Sequence, residues 1–139
     1  MIYVVDASAA VKWYVPEQYS DEAELLLDTQ HELFAPELIL PEVGNIIWKK
    51  VRRAELTEAE GNKIIKAFQA AGVVTIPHTN LLSAAYTGAV LSGQTVYDWT
   101  YLALALSLNC EFVTADEKFY RALEATRLKR NLLWVGDLQ

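Results

Sequence analysis

Short β-branched apolar runs, helical stretches set between them, and a carboxylate just beyond two of the runs predict an α/β fold with a central parallel sheet of four to five strands, covered on both faces. The run at residues 2–5, IYVV, suits a strand buried on both sides, and Asp6 ends it. Ser8 stands at a helix N-cap position, and Ala9, Ala10, Val11, Trp13 and Tyr14 follow with apolar residues too dense for an exposed turn. Asp6 is therefore expected where a buried strand feeds a helix, outside the carboxyl end of the sheet, where ligands collect in open α/β folds. A turn aspartate that caps the next helix explains the same residue equally well, so the weight falls on whether other acids converge on it.

Pro16 stops the first helix, and Ser20 is expected to cap a second one, with Asp21 and Glu22 in the first turn and Ala23, Leu26 and Leu27 on its apolar face. Residues 33–35 form a short strand closed by Pro36. A longer helix follows over 38–53, with Leu40, Val43, Ile47 and Val51 on one stripe and Pro41 in the first turn. Thr57 and Glu60 have capping-box spacing, which starts a helix that runs to about residue 71 with Gly72 as its stop. Residues 73–76 make another strand before Pro77, and a helix over 80–91 ends at Gly93.

Residues 95–108, TVYDWTYLALALSL, are apolar almost all round and predict a helix buried on every side, with Asp98 in its first turn. The helix dipole favours that charge by only ~0.3–1 kcal/mol, whereas burying an isolated carboxylate costs several kcal/mol, so Asp98 needs a partner cation. The strand EFVT at 111–114 ends two residues before Asp116 and repeats the strand-then-acid arrangement of Val5 and Asp6. A short helix over 117–124 and an edge strand over 132–135 complete the chain.

The 139 residues fit one domain, 1–139, and a 53% apolar composition supplies a real core. The single Cys110 excludes an internal disulfide and reads as a buried structural thiol. The apolar start stops at Asp6 without a basic region, and no run reaches membrane-spanning length, so a soluble cytoplasmic protein with no membrane partner is expected. A net charge of -6 argues against a broad nucleic-acid coat. Lys49, Lys50, Arg52 and Arg53 nevertheless cluster on one segment and Arg127, Lys129 and Arg130 on another, where they can grip a phosphate backbone.

Four acids stand out: Asp6, Glu42, Asp98 and Asp116. Drawn together, they cannot all stay ionised without a cation, and an all-oxygen acidic site suits Mg²⁺ or Mn²⁺ better than zinc. His31 and His78 have no metal-ligand spacing. The stretches VVDAS (4–8), PEVGNIIWK (41–49), YDWTYLALA (97–105) and TADEKFY (114–120) resemble the four motifs of PIN-domain ribonucleases, and their order and spacing are similar to the toxin subunit of VapBC toxin–antitoxin pairs. The resemblance covers essentially the whole chain and implies a three-layer α/β/α sandwich. It also implies that Asp6, Glu42, Asp98 and Asp116 carry the acidic metal site, supported by Ser8, Asn45 and Thr114. The implied activity is Mg²⁺- or Mn²⁺-dependent cleavage of RNA, with a small antitoxin protein and a second copy of the chain as partners. Trp99 follows the third acid where that family usually has a small residue, which narrows the room expected beside Asp98.

Two other readings compete. A phosphatase with Asp6 as nucleophile resembles a motif that has a second aspartate two residues on, where this chain has Ser8. A non-catalytic PIN-fold binding module needs no acids, and all four are present. The stretch GAVLSGQT at 88–95 imitates a phosphate-binding loop but has Gln94 in place of the lysine and follows a helix, so it is set aside.

Overall fold

The computed structural model describes all 139 residues. Its centre is a five-stranded, wholly parallel sheet made of β1 (Ile2–Val5), β2 (Glu32–Pro36), β3 (Val74–Ile76), β4 (Glu111–Thr114) and β5 (Leu132–Trp134), in the order β3-β2-β1-β4-β5. Seven α-helices connect the strands: α1 (Ala7–Ala10), α2 (Ser20–Glu24), α3 (Ile39–Arg52), α4 (Glu58–Gln69), α5 (Leu82–Ser92), α6 (Val96–Leu108) and α7 (Glu117–Leu123). The sheet grows outward from β1 through β2 to β3, then returns to place β4 on the other side of β1. The gap between the carboxyl ends of β1 and β4 is therefore the point where the winding reverses, and a crevice opens there.

Successive strand residues point to opposite faces, so a strand with consecutive buried residues is covered on both sides. Tyr3, Val4 and Val5 of β1 and Phe112, Val113 and Thr114 of β4 are all buried, which makes the sheet the middle layer of a sandwich. The edge strands β3 and β5 have three residues each, short enough to limit edge-to-edge pairing with other chains.

Helix α6 lies across β1, β2 and β4, and every residue from Trp99 to Ala105 is buried, as its composition requires. Its ends escape the core, with Tyr97 exposed on one side and Leu106 and Leu108 partly exposed on the other. Tyr101 stacks on Phe112 at 5.6 Å with an interplanar angle of 10°, which ties α6 to β4. Helix α5 packs behind α6 at a very short distance, because Gly88 leaves room for the Trp99 ring that a Cβ would meet at 2.2 Å.

The capping box of Thr57 and Glu60 is formed as expected, with bonds of 2.9 and 3.1 Å. Gly93 ends α5 at φ +75, and Gly72 turns the chain after α4 at φ +84. Several details differ from expectation. Asp6, not Ser8, caps α1, because the strand ends one residue before it and its carboxylate reaches the Ala9 N–H. Tyr19 occupies the N-cap of α2 in the left-handed region, while the Ser20 hydroxyl organises the preceding turn by accepting from Glu17 N–H and donating to Val15 O. The buried stripe of α3 is Ile39, Val43 and Ile47, and Leu40 faces outward. A 3-10 turn at Thr79–Leu81 replaces the first turn expected of α5, and Cys110 is half-buried. No helix is long and apolar enough to cross a membrane.

Candidate active site

Asp6 and Thr114 close β1 and β4, and the parallel register of these neighbours delivers both side chains to the crevice. Asp6 is 6% exposed. Its Oδ1 accepts from the Ser8 hydroxyl at 2.6 Å and from Ala9 N–H at 2.9 Å, and its Oδ2 accepts from the Thr114 hydroxyl at 2.6 Å. Ser8 Oγ in turn accepts from Ala115 N–H at 3.1 Å, and Thr114 Oγ1 accepts from Asp116 N–H at 3.0 Å. Two hydroxyls thus lace the ends of β1 and β4 together around one carboxylate.

Burial pushes the Asp6 carboxyl up to about 6 from its ordinary 3.8, against the pull of its three hydrogen bonds, and the Asp98 charge adds to the rise. Asp98 is half-buried in the first turn of α6, where it accepts from the Thr95 hydroxyl at 3.1 Å. Desolvation and then the Asp116 charge raise its carboxyl, while Thr95 and Lys118 oppose the rise. Glu42, in the first turn of α3, accepts from the Tyr101 hydroxyl at 2.6 Å. Its carboxyl is raised by burial and by Asp98. Asp116 caps α7 by accepting from Phe119 N–H at 3.1 Å. The four acids share one electrostatic field, with Asp98 acting on Asp6 and Glu42 and feeling Asp116.

None of the four ion pairs in the molecule engages these acids. As the side chains stand, no three carboxylates close into a cage around an ion. Each is turned toward a donor of its own: Thr95 for Asp98, Tyr101 for Glu42, and the α7 backbone for Asp116. The donor set is all oxygen, negatively charged and without an ion-pair partner, which is the chemistry that a hard divalent cation satisfies.

Cations flank the crevice on the α3 side. Lys50 and Lys12 border a hollow beneath Ser8, and Lys49 shares a groove with Glu42, Asn45 and Tyr97. The second basic cluster lies elsewhere, since Arg130 borders a hollow with Cys110 and Glu111 at the opposite end of β4. Asn45 is exposed in the Glu42 groove and does not share the tight hydrogen bonding of Ser8 and Thr114. The Trp99 ring points into the α5 contact, where its Nε1 donates to Ser92 Oγ at 2.7 Å, so it leaves the crevice beside Asp98 open. Tyr101 and Thr95 went unnoticed in the sequence. Thr95 carries the signal of a residue three before an acid at a helix start, whereas nothing local marks Tyr101 as the partner of Glu42.

The profile of the PIN domain family matches residues 3–124. The chain belongs to the PIN-domain family. Among curated relatives of this PIN domain, a protein named Ribonuclease VapC3 from Pyrobaculum aerophilum is 36% identical over 122 residues, covering 85% of this chain and 92% of that one. Ribonuclease VapC9 from Mycobacterium tuberculosis is 29% identical over 113 residues, covering 81% and 84%. The crystal structure of PAE2754 from Pyrobaculum aerophilum superposes with a TM-score of 0.72 at 25% identity, over 97% of this chain and 90% of that one. VapBC2 from Rickettsia felis, solved bound to a promoter DNA fragment, shares the fold with a TM-score of 0.59 at 19% identity, over 96% and 97%.

Proposed function

We propose that this PIN domain is a Mg²⁺- or Mn²⁺-dependent endoribonuclease and the toxin of a toxin–antitoxin pair. The observation that carries the reading is the group of four carboxylates at the β1/β4 crevice, of which Asp6, Glu42 and Asp98 are raised by burial and by neighbouring acids, with no ion pair to neutralise them. The relatives named VapC ribonucleases support RNA as substrate, and the likeness of the motif order to the toxin subunit of VapBC pairs supports a small antitoxin as partner. A second copy of the chain is a further partner. Helix α5 carries no charged residue and exposes Leu82, Tyr86, Val90 and Leu91, an apolar face that brings no charge of its own to a contact between two copies.

Asp6, Asp98 and Asp116 would hold the metal, and Glu42 would complete the site as a ligand or by orienting the attacking water. Bound there, Mg²⁺ or Mn²⁺ lowers the pKa of a water molecule and offsets charge developing on the phosphoryl oxygens. Ser8 and Thr114 hold both oxygens of Asp6, and Tyr101 holds one oxygen of Glu42, which orients these two carboxylates at the crevice. Asn45 and Lys49 line the same groove as Glu42, where they can contact the phosphate and its water. Water attack leaves the RNA 2′-hydroxyl uninvolved, so the products carry a 5′-phosphate and a 3′-hydroxyl. The test is incubation of the chain with structured RNAs in Mg²⁺, in Mn²⁺ and in EDTA. Cleavage should need the metal and should be lost in Asp6→Asn and Asp98→Asn. Cleavage that survives EDTA, or leaves 2′,3′-cyclic ends, refutes the mechanism.

A further inference from the structure

Beyond Asp116 the carboxyl edge of the sheet continues into a second hollow of about 420 Å³ that the acids do not use. Three aromatic residues stand in its otherwise mostly polar wall. Trp134 stands between Tyr19 and Tyr120, with ring centres 5.7 Å from each. In the sheet Trp134 is the register partner of Thr114, so this wall lies one strand spacing from the residue that holds Asp6. Lys12 and Ala115 border both this hollow and the one that Ser8 lines, so the two hollows adjoin next to the residue that hydrogen-bonds Asp6.

The wall is built at some conformational cost. Tyr19 adopts φ +67, a left-handed backbone that aromatic residues seldom take. A Cβ at Gly136 would meet the Tyr19 ring at 2.8 Å and Trp134 Nε1 at 2.9 Å, so only glycine lets the two rings stand together. The polar atoms of Trp13, Trp99 and Tyr101 are hydrogen-bonded inside the fold, whereas those of Tyr19, Tyr120 and Trp134 are free for a ligand.

Charge decides what the ligand is. Arg121 is already bound to Glu117 at 2.7 Å, with Glu124 at 3.8 Å, and Lys12 is held by Glu17 at 3.2 Å and by Gln18 O at 2.7 Å. With Asp137 also on the wall, carboxylates outnumber cations and a phosphate is repelled. A neutral planar group with amino donors is favoured instead. Aromatic walls stack nucleobases, and carboxylates accept from exocyclic amines.

We infer that this hollow is a nucleobase subsite, stacking one unpaired base that flanks the scissile phosphate and preferring adenine, cytosine or guanine to uracil. The inference rests on the ribonuclease reading for its substrate, and its test separates the two. Binding of the full chain to labelled single-stranded RNA oligomers is measured in EDTA by fluorescence anisotropy, with adenine, cytosine, uracil and abasic versions. Oligomers with adenine or cytosine should bind roughly tenfold more tightly than the abasic one, with uracil in between. Tyr19→Asn, which tolerates the left-handed backbone, and Tyr120→Ala should each remove most of that gain. Trp134→Leu should do the same while Trp134→Phe keeps it. In Mg²⁺ the same variants should raise KM with little change in kcat. Equal binding of abasic and complete oligomers overturns the subsite. So do variants that cleave with unchanged KM and unchanged base preference, and in that case the ribonuclease reading stands. Failure of the parent chain to cleave any RNA sinks the ribonuclease reading instead, and base-dependent binding in EDTA then judges the subsite by itself.

Discussion

Replacing Asp6 by asparagine should make the metal-free protein less sensitive to rising pH, and the size of the effect follows from the crevice. The folded chain holds the Asp6 proton up to about 6, against 3.8 for the unfolded chain. Between these values the folded state binds more protons than the unfolded one, so stability falls as pH rises through the window and the loss is complete above about 6. That separation corresponds to about 3 kcal/mol, or about 10 °C in Tm for a chain of this length. Asparagine abolishes the charge but keeps one acceptor oxygen for Ser8 and Ala9. Its amide faces the Thr114 hydroxyl, which loses its acceptor at a cost of about 1–3 kcal/mol. At about pH 3.5 Asp6→Asn should therefore be less stable than the parent by that cost, and at about pH 7.5 equal or more stable. Urea unfolding in EDTA across this range measures both. The informative quantity is the difference between the two proteins, because groups not coupled to Asp6 titrate alike in both and cancel. If that difference is flat with pH, the buried carboxyl is not perturbed and the account of the crevice fails.

Mg²⁺ or Mn²⁺ at a hundredfold excess over Kd should stabilise the chain by about 2.7 kcal/mol, read as a rise in Tm. In Asp98→Asn the rise should shrink, while the metal-free variant is at least as stable as its parent because repulsion with Asp6, Glu42 and Asp116 is relieved. Tyr101→Phe removes the donor 2.6 Å from Glu42 and should cost about 1–2 kcal/mol near neutral pH, less as the carboxyl protonates. Carbon-detected titration should show the Glu42 midpoint moving further up, and an unmoved midpoint would contradict the contact. Gly88→Ala drives a methyl into the Trp99 ring and should lower stability by about 1–3 kcal/mol, which thermal unfolding would detect.

Strand runs, helix stops and the capping box were legible in the chain because near neighbours govern them, whereas the caps of α1 and α2 fell one or two residues from where local pattern placed them. The runs IYVV and EFVT are strands because β-branched and apolar residues suit a doubly covered sheet, and each is followed by its acid within two residues. The capping box at Thr57, the stop at Gly93 and the buried helix around Leu102 are likewise properties of a few adjacent residues. Position after a strand or at a helix start marked Asp6, Glu42, Asp98 and Asp116 as candidates. Only the tertiary structure decided which side chains meet across the chain. Thr114 reaches Asp6 over 108 positions, and Tyr101 reaches Glu42 over 59. Strand order sent one basic cluster toward the crevice and the other to the far end of β4. Packing against Gly88 turned Trp99 away from Asp98, and the pairing of β4 with β5 set Trp134 beside Thr114. Spacing along a helix or strand fixes which face a residue takes, but its partner on that face is chosen by how distant segments dock, and that choice is made by the packing of the whole core.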